Sequence, residues 1–265
     1  MLETESELVI ETNNKVKYLL KQYKYEMIIT FIISILIYII LNNIYSSHKI
    51  KLCSQKIKNL EIPMYSIYIP KRENHIKNFF EKYKLDINFI QGVDKDTINV
   101  EDLIKKNKIK RWKEGTPGRI ACHYSHLKVM KQFLNTPNER CVIFEDDLKS
   151  SYSVSDLLET YYNLLNNIPK DCDILYIGYC FTQNIKKYNK YFSTAKRPVC
   201  RHAYSVNRKA ANEIIKNTEY MTYNGDQLVA NLCEKDIIKA YLSNYNIFEQ
   251  SWGSKEPHLW GTTGE

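Results

Sequence analysis

From Met27 to Leu41 the chain reads MIITFIISILIYIIL, with no charge, Pro or Gly, and it is apolar all round rather than on one face. Extending the run through Tyr45 gives about 28 Å of helix at ~1.5 Å per residue, close to the ~30 Å hydrocarbon core of a bilayer. The pattern predicts an uncleaved transmembrane anchor over 27–45. A cleavable leader fits less well, because the polar stretch ahead of it is long and no Ala-x-Ala-like site follows. Residues 1–26 then form a polar tail and 46–62 a short Lys-rich stem. Lys15, Lys17, Lys21 and Lys24 precede the span and Lys49, Lys51, Lys56 and Lys58 follow it, so charge does not fix its orientation.

Beyond the stem the period changes repeatedly. Strands are predicted at 64–70, 87–94, 140–147, 174–178, 201–206 and 237–242. Helices are predicted at 73–84, where Ile76, Phe79, Phe80 and Tyr83 share a face, and at 119–134, 154–166, 208–217 and 226–234. Residues 101–118 are polar and close on Gly115, Pro117 and Gly118, which reads as a loop. Strands alternating with helices imply one α/β domain, 63–265, with a mainly parallel sheet covered on both faces.

Composition adds exclusions. The 265 residues include 26% charged and 44% hydrophobic positions, an ordinary globular balance. The net charge of +8 comes with an excess of Lys, Asn, Ile and Tyr together, which resembles coding bias as much as selection for a basic face. Lys and Arg are spread through every segment and no zinc-finger or RNA-binding signature occurs, so nucleic acid is not an expected partner. The seven Cys include no Cys-x-x-Cys pair, which argues against a zinc ribbon or a thioredoxin-like motif.

The stretch richest in chemistry is Cys141-Val142-Ile143-Phe144 followed by Glu145-Asp146-Asp147. Ligands of open α/β sheets sit at the carboxyl ends of strands. Period-2 geometry puts Glu145 and Asp147 on one side and Asp146 on the other. Adjacent acids repel, and a hard cation such as Mg²⁺ or Mn²⁺ resolves the repulsion; a solvated acidic turn or a helix cap is the bland alternative. Asp171-Cys172-Asp173 has the same look but precedes its strand, so it belongs at the opposite edge and reads as surface. Cys122 and His126 lie at i, i+4 with His123 nearby, but no partner ligand is evident in the sequence, and local packing is the favoured reading. Asp226 follows Asn224-Gly225 and opens a helix, as an N-cap or as a general base. His258 sits in SWGSKEPHLWG near the C-terminus.

GRIACHYSHLKVM (118–130) followed by CVIFEDDL (141–148) resembles glycosyltransferase family 25, which includes lipooligosaccharide and procollagen galactosyltransferases. The family pattern is a Gly-x-x-Gly-Cys-x-x-Ser-His helix and then an apolar strand ending in Glu-Asp-Asp. Gly118, Cys122, Ser125, His126, Glu145, Asp146 and Asp147 match it. Val93-Asp94, DILYIG (173–178), HAYSVNRKAANEII (202–215) and Asp226 match more loosely. Ala121 stands where the family has its second Gly, and Tyr68-Ile69-Pro70 departs from the usual end of the first strand.

The resemblance implies a GT-A-like nucleotide-sugar-binding fold. It implies inverting transfer of a hexose, galactose or glucose, from a UDP-sugar to a hydroxyl of a glycan, glycolipid or hydroxylysine-containing protein. Glu145, Asp146, Asp147 and His258 would hold Mn²⁺ or Mg²⁺, Asp94, Ser125 and His126 would contact the donor, and Asp226 would be the base. A single-pass, type II protein of the ER/Golgi or an equivalent membrane is the matching expectation. The other readings are a membrane-anchored binding or scaffold protein that keeps the fold without turnover, and a phosphohydrolase, whose nucleophile motif is not found.

Overall fold

A computed structural model describes residues 5–110, 116–180 and 185–251, with side chains described from Lys15 onward. The chain divides into two compact units, Met1–Lys51 and Leu52–Glu265. In the first, helix α1 (Glu5–Lys58) runs through the apolar segment, and its large hydrophobic side chains from Val16 to Tyr45 are exposed. The helix is long and apolar enough to cross a membrane.

The second unit begins earlier than the predicted domain. The last turns of α1 belong to it, with Cys53 and Ile57 buried and Lys56 over the Tyr162 ring. Residues 52–58 are thus folded structure rather than stem, because their apolar positions recur at helical spacing and meet the core. The unit's further elements are β1 (Met64–Tyr68), α2 (Glu73–Tyr83), β2 (Asn88–Gln91), α3 (Val100–Lys105), α4 (Pro117–Leu134), β3 (Arg140–Phe144) and β4 (Leu148–Lys149). After them come α5 (Val154–Asn166), β5 (Ile174–Gly178), β6 (Lys186–Lys187), β7 (Phe192–Thr194), β8 (Ala203–Asn207), α6 (Arg208–Lys216), α7 (Gly225–Glu234), β9 (Ala240–Ser243) and β10 (Glu249–Gln250).

Eight strands form one sheet in the order β2-β1-β3-β8-β5-β9-β7-β6. The parallel pairings are β1 with β2, β1 with β3, and β5 with β9. β8 enters antiparallel between β3 and β5, and β6–β7 add an antiparallel edge. The sheet is therefore mixed. The antiparallel entry of β8 brings its amino end to the edge where β1 and β3 end.

Local chemistry explains the boundaries. Ser153, Asn207 and Asn224 cap α5, α6 and α7 by accepting from the backbone N–H three residues on, each worth about 1 kcal/mol. Thr116 caps α4 with Pro117 in its first turn, so this helix starts inside the predicted loop. The same stretch holds α3, capped by Asn99. Cys141, Val142, Ile143 and Phe144 are fully buried, as a strand between two neighbours requires. Phe144 packs on Phe80 of α2 at 5.1 Å and on Phe248 at 5.2 Å between ring centroids. Late in the chain β10 pairs antiparallel with β4, Gln250 opposite Leu148.

Candidate functional site

The carboxyl ends of β1 and β3 and the amino end of β8 meet at a cavity of about 350 Å³. Arg72 follows β1, Glu145 and Asp147 follow β3, and Cys200 and Arg201 lead into β8. Gly118, Arg119, Cys122 and His123 come from the first turns of α4, Asn224 to Gln227 from the start of α7, and Gln250 from β10.

The three consecutive acids separate as strand geometry demands. Glu145 and Asp147 line the cavity. Asp146 does not: it is 2% exposed, accepts from the Ile69 N–H at 2.8 Å and from Arg72 Nη1 at 3.1 Å, and ties the end of β1 to the end of β3. Burial raises its pKa, partly offset by those two donors. Gln250 Nε2 donates to Glu145 Oε2 at 3.3 Å and Asp147 Oδ2 at 3.4 Å, and Arg72 Nη1 lies 3.8 Å from Asp147 Oδ2. Asp147 Oδ1 is buried without a hydrogen-bond partner. Burial first, and then a neighbouring carboxylate, raises Glu145 to about 7 and Asp147 to about 6.

His126 is not a cavity residue. It is 1% exposed, with Nε2 2.9 Å from Glu145 Oε1 and Nδ1 3.0 Å from the Tyr204 hydroxyl. Burial, reinforced by the Arg201 charge, lowers its pKa to about 3, so the ring is neutral. An ionised Glu145 only accepts, so Nε2–H donates to it and the Tyr204 O–H donates to Nδ1. Ser125 is buried too: its hydroxyl donates to Ala121 O at 2.7 Å and accepts from Val93 N–H at 2.8 Å. Asp94 is exposed and caps a short turn through Asp96 N–H. None of the three expected donor contacts lines the cavity, and each has partners within the protein.

Asp226 lines the cavity but does not cap α7; Asn224 does. Its Oδ1 accepts from Arg201 Nε at 2.9 Å and its Oδ2 from the Cys200 N–H at 3.2 Å. Arg201 is almost fully buried, and its Nη2 faces His123 Nδ1 at 3.5 Å. Gly225 is required here, because a Cβ would overlap both His123 Nδ1 and Arg201 Nη2. Asp173 is not a surface residue. It is 5% exposed at the opposite edge, bound by Lys209, Asn207 and the Lys239 N–H; burial works to raise its pKa, but these partners hold it below the usual value. His258 lies outside the described residues.

Sequence reasoning passed over Arg72, Arg201 and Gln250. The one available signal was an Arg just after the first strand and another leading into β8. Gln250 carried none, because its place depends on the β4–β10 pairing.

Comparison with known proteins adds three findings. The model of a family described as "Glycosyltransferase family 25 (LPS biosynthesis protein)" matches residues 60–229. Among solved structures, the chain is similar to a glycosyltransferase involved in the glycosylation of the major capsid of PBCV-1, at 6% identity and a TM-score of 0.36, covering 73% of this chain and 93% of that one. Comparison with curated proteins gave no match.

Proposed function

The chain belongs to glycosyltransferase family 25 and is a glycosyltransferase, and from that premise we propose that it moves a hexose from a UDP-sugar to an acceptor hydroxyl with inversion, using a divalent cation, on a GT-A-like domain. The observation that carries the reading is the pair Glu145 and Asp147, two cavity-facing carboxylates at the end of a buried strand, one oxygen of Asp147 being buried and unpartnered. An all-oxygen pair of this kind suits Mn²⁺ or Mg²⁺, which complete their shells with water and phosphate oxygens. Once bound, such a cation supplies positive charge toward the departing diphosphate.

The protein's own groups do the rest. Gln250 and the His126 ring hold Glu145 from two sides, and Arg72 ties the end of β1 to Asp146. Arg201 places a fixed cation in the cavity wall. Asp226, held by Arg201 and the Cys200 amide, is the base: the acceptor oxygen forms its bond to the anomeric carbon, the bond to the diphosphate oxygen breaks on the opposite face, and the hydroxyl proton passes to the carboxylate. The acceptor class is a glycan, glycolipid or hydroxylysine-containing protein. The apolar helix serves as a single-pass anchor at 27–45, type II in the ER/Golgi or an equivalent membrane, with the catalytic domain beginning at Leu52.

The test is UDP release from UDP-galactose and UDP-glucose, with Mn²⁺ and candidate acceptors. Asp147→Ala should abolish divalent-dependent UDP-sugar binding and Asp173→Ala should leave it intact. Equal loss in both variants would sink the assignment of the cation to the end of β3.

A further inference from the structure

Cys122 and His126 lie one turn apart on α4, so they project from the same face of the helix. The end of β3 brings Glu145 against that face. One ligand atom from each of the three residues lies within 4.8 Å of the others. His126 Nε2 is 2.9 Å and Cys122 Sγ 4.0 Å from the same oxygen, Glu145 Oε1. Glu145 Oε2 points the other way, toward Gln250 and Asp147. The thiol and the imidazole therefore address a side of the carboxylate that the oxygen-only cation site does not use.

We propose that Cys122, His126 and Glu145 Oε1 form a three-ligand site for a thiolate-accepting divalent cation of the Zn²⁺ or Co²⁺ class, with its fourth position open to the cavity. Three protein ligands and one open position are the usual make-up of a reactive rather than a purely structural zinc site. Tetrahedral bonds of ordinary length put the nitrogen and oxygen ligands about 3.4 Å apart and the sulfur and oxygen about 3.6 Å apart. Reaching those separations from 2.9 and 4.0 Å takes shifts of roughly half an ångström. Cys122 and Glu145 line the cavity and His126 stands behind them, so the vacant direction faces the open volume.

The outer shell also fits. A metal on Nε2 leaves the proton on Nδ1, and the Tyr204 hydroxyl 3.0 Å away is there to accept it. The cavity lining sets Glu145, Asp147 and Asp226 against Arg72, Arg119 and Arg201, so cation affinity rests on the ligands themselves rather than on a net charge of the wall. Binding releases the thiol proton to solvent as the sulfur takes the metal, while the single imidazole proton changes place from Nε2 to Nδ1, so His126 gives up no net proton. A sulfur ligand selects Zn²⁺ or Co²⁺ over Mg²⁺. Glu145 is common to this site and to the oxygen-only site above, but the cobalt band tests the thiolate ligand without recourse to sugar transfer.

The experiment is a Co²⁺ titration of the full-length, reduced and chelator-treated protein in detergent, followed by absorbance. The expected result is a near-ultraviolet cobalt–thiolate charge-transfer band with the intense visible bands of four-coordinate cobalt, saturating at one equivalent and bleached by Zn²⁺. Cys122→Ser should remove the charge-transfer band. His126→Gln should weaken Co²⁺ binding at least tenfold, and it keeps the test decisive should the serine variant not fold. Tyr204→Phe should weaken it about tenfold as an outer-shell change. Cys180→Ser and Asp147→Ala should keep the band, whereas Mn²⁺-dependent UDP binding is lost in Asp147→Ala alone of these two. The proposal is overturned by a wild-type protein that gives no band, by a band that survives in Cys122→Ser, or by unchanged affinity in His126→Gln.

Discussion

Replacing Asp226 with Asn separates its ion pair with Arg201 from the proposed role as base. The change keeps volume and an acceptor oxygen but removes the charge and the proton affinity. Its first effect is on Arg201, whose side chain is 2% exposed against 39% for Asp226. Removing one partner of a fully buried pair costs about 3–5 kcal/mol, whereas a fully exposed pair is worth about 0–1 kcal/mol. This pair is buried on the arginine side only, so a loss of about 2 kcal/mol is expected. For a unit of this size that lowers Tm by about 4–8 °C. Helix capping does not enter, since Asn224 supplies the cap. The second effect is on turnover: loss of a general base lowers kcat by about 10²–10⁴-fold. Thermal unfolding followed by far-ultraviolet circular dichroism reads the first effect, and UDP release well below both melting temperatures reads the second. A variant with lowered Tm and kcat within threefold of the parent would remove Asp226 from the chemistry and leave it as the counter-ion of Arg201. An unchanged Tm would refute the energetic argument itself.

Three further outcomes are expected. A chain starting at Leu52 should fold as a soluble unit, and one starting at Pro63 should be less stable by about 2–4 kcal/mol in urea from lost burial of Ile57 and Cys53; equal stability would move the boundary back. Glu145 and Asp147, raised to about 7 and about 6, favour the fold when protonated; metal-free Tm should therefore be highest near pH 4 and fall until about pH 7, and Mn²⁺ should raise Tm more at about pH 8 than at about pH 5. A Mn²⁺ effect that shrinks with rising pH would contradict this. Gly225→Ala, forcing a methyl against His123 and Arg201, should cost about 1–3 kcal/mol by chemical denaturation, and a neutral result would mean that the start of α7 yields freely.

Patterns contained within one element could be read from the sequence. The boundaries of α5 and β5 match their predicted spans, and the period of two correctly divided Glu145 and Asp147 from Asp146. What depended on distant partners could not be read. α3 is only six residues long, and its Val100, Leu103 and Ile104 pack against Ile109 and Ile120 and against Met221, which is far along the chain. β6 is two exposed lysines held by its pairing with β7. His126 matched a motif, but sequence alone does not say which face of a helix meets a cavity, and the neighbour that turns it inward is Tyr204. Arg201 looked like any surface arginine until Asp226, 25 positions on, fixed it in the wall.

The pairing of β10 with β4 has a consequence for the timing of synthesis. Gln250 reaches Glu145 across a sequence separation of 105 residues. A ribosome adding about 5–20 residues per second needs roughly 5–20 s to cover that interval. Throughout it the nascent chain already carries Arg72, α4 and the acidic end of β3, while the amide that bridges the two carboxylates has yet to be made. Arg201 and Asp226, which line the same cavity, also emerge within that interval, so unfinished chains carry an incomplete centre. Among the described strands, β10, which completes the bridge between the two carboxylates, is the last to emerge.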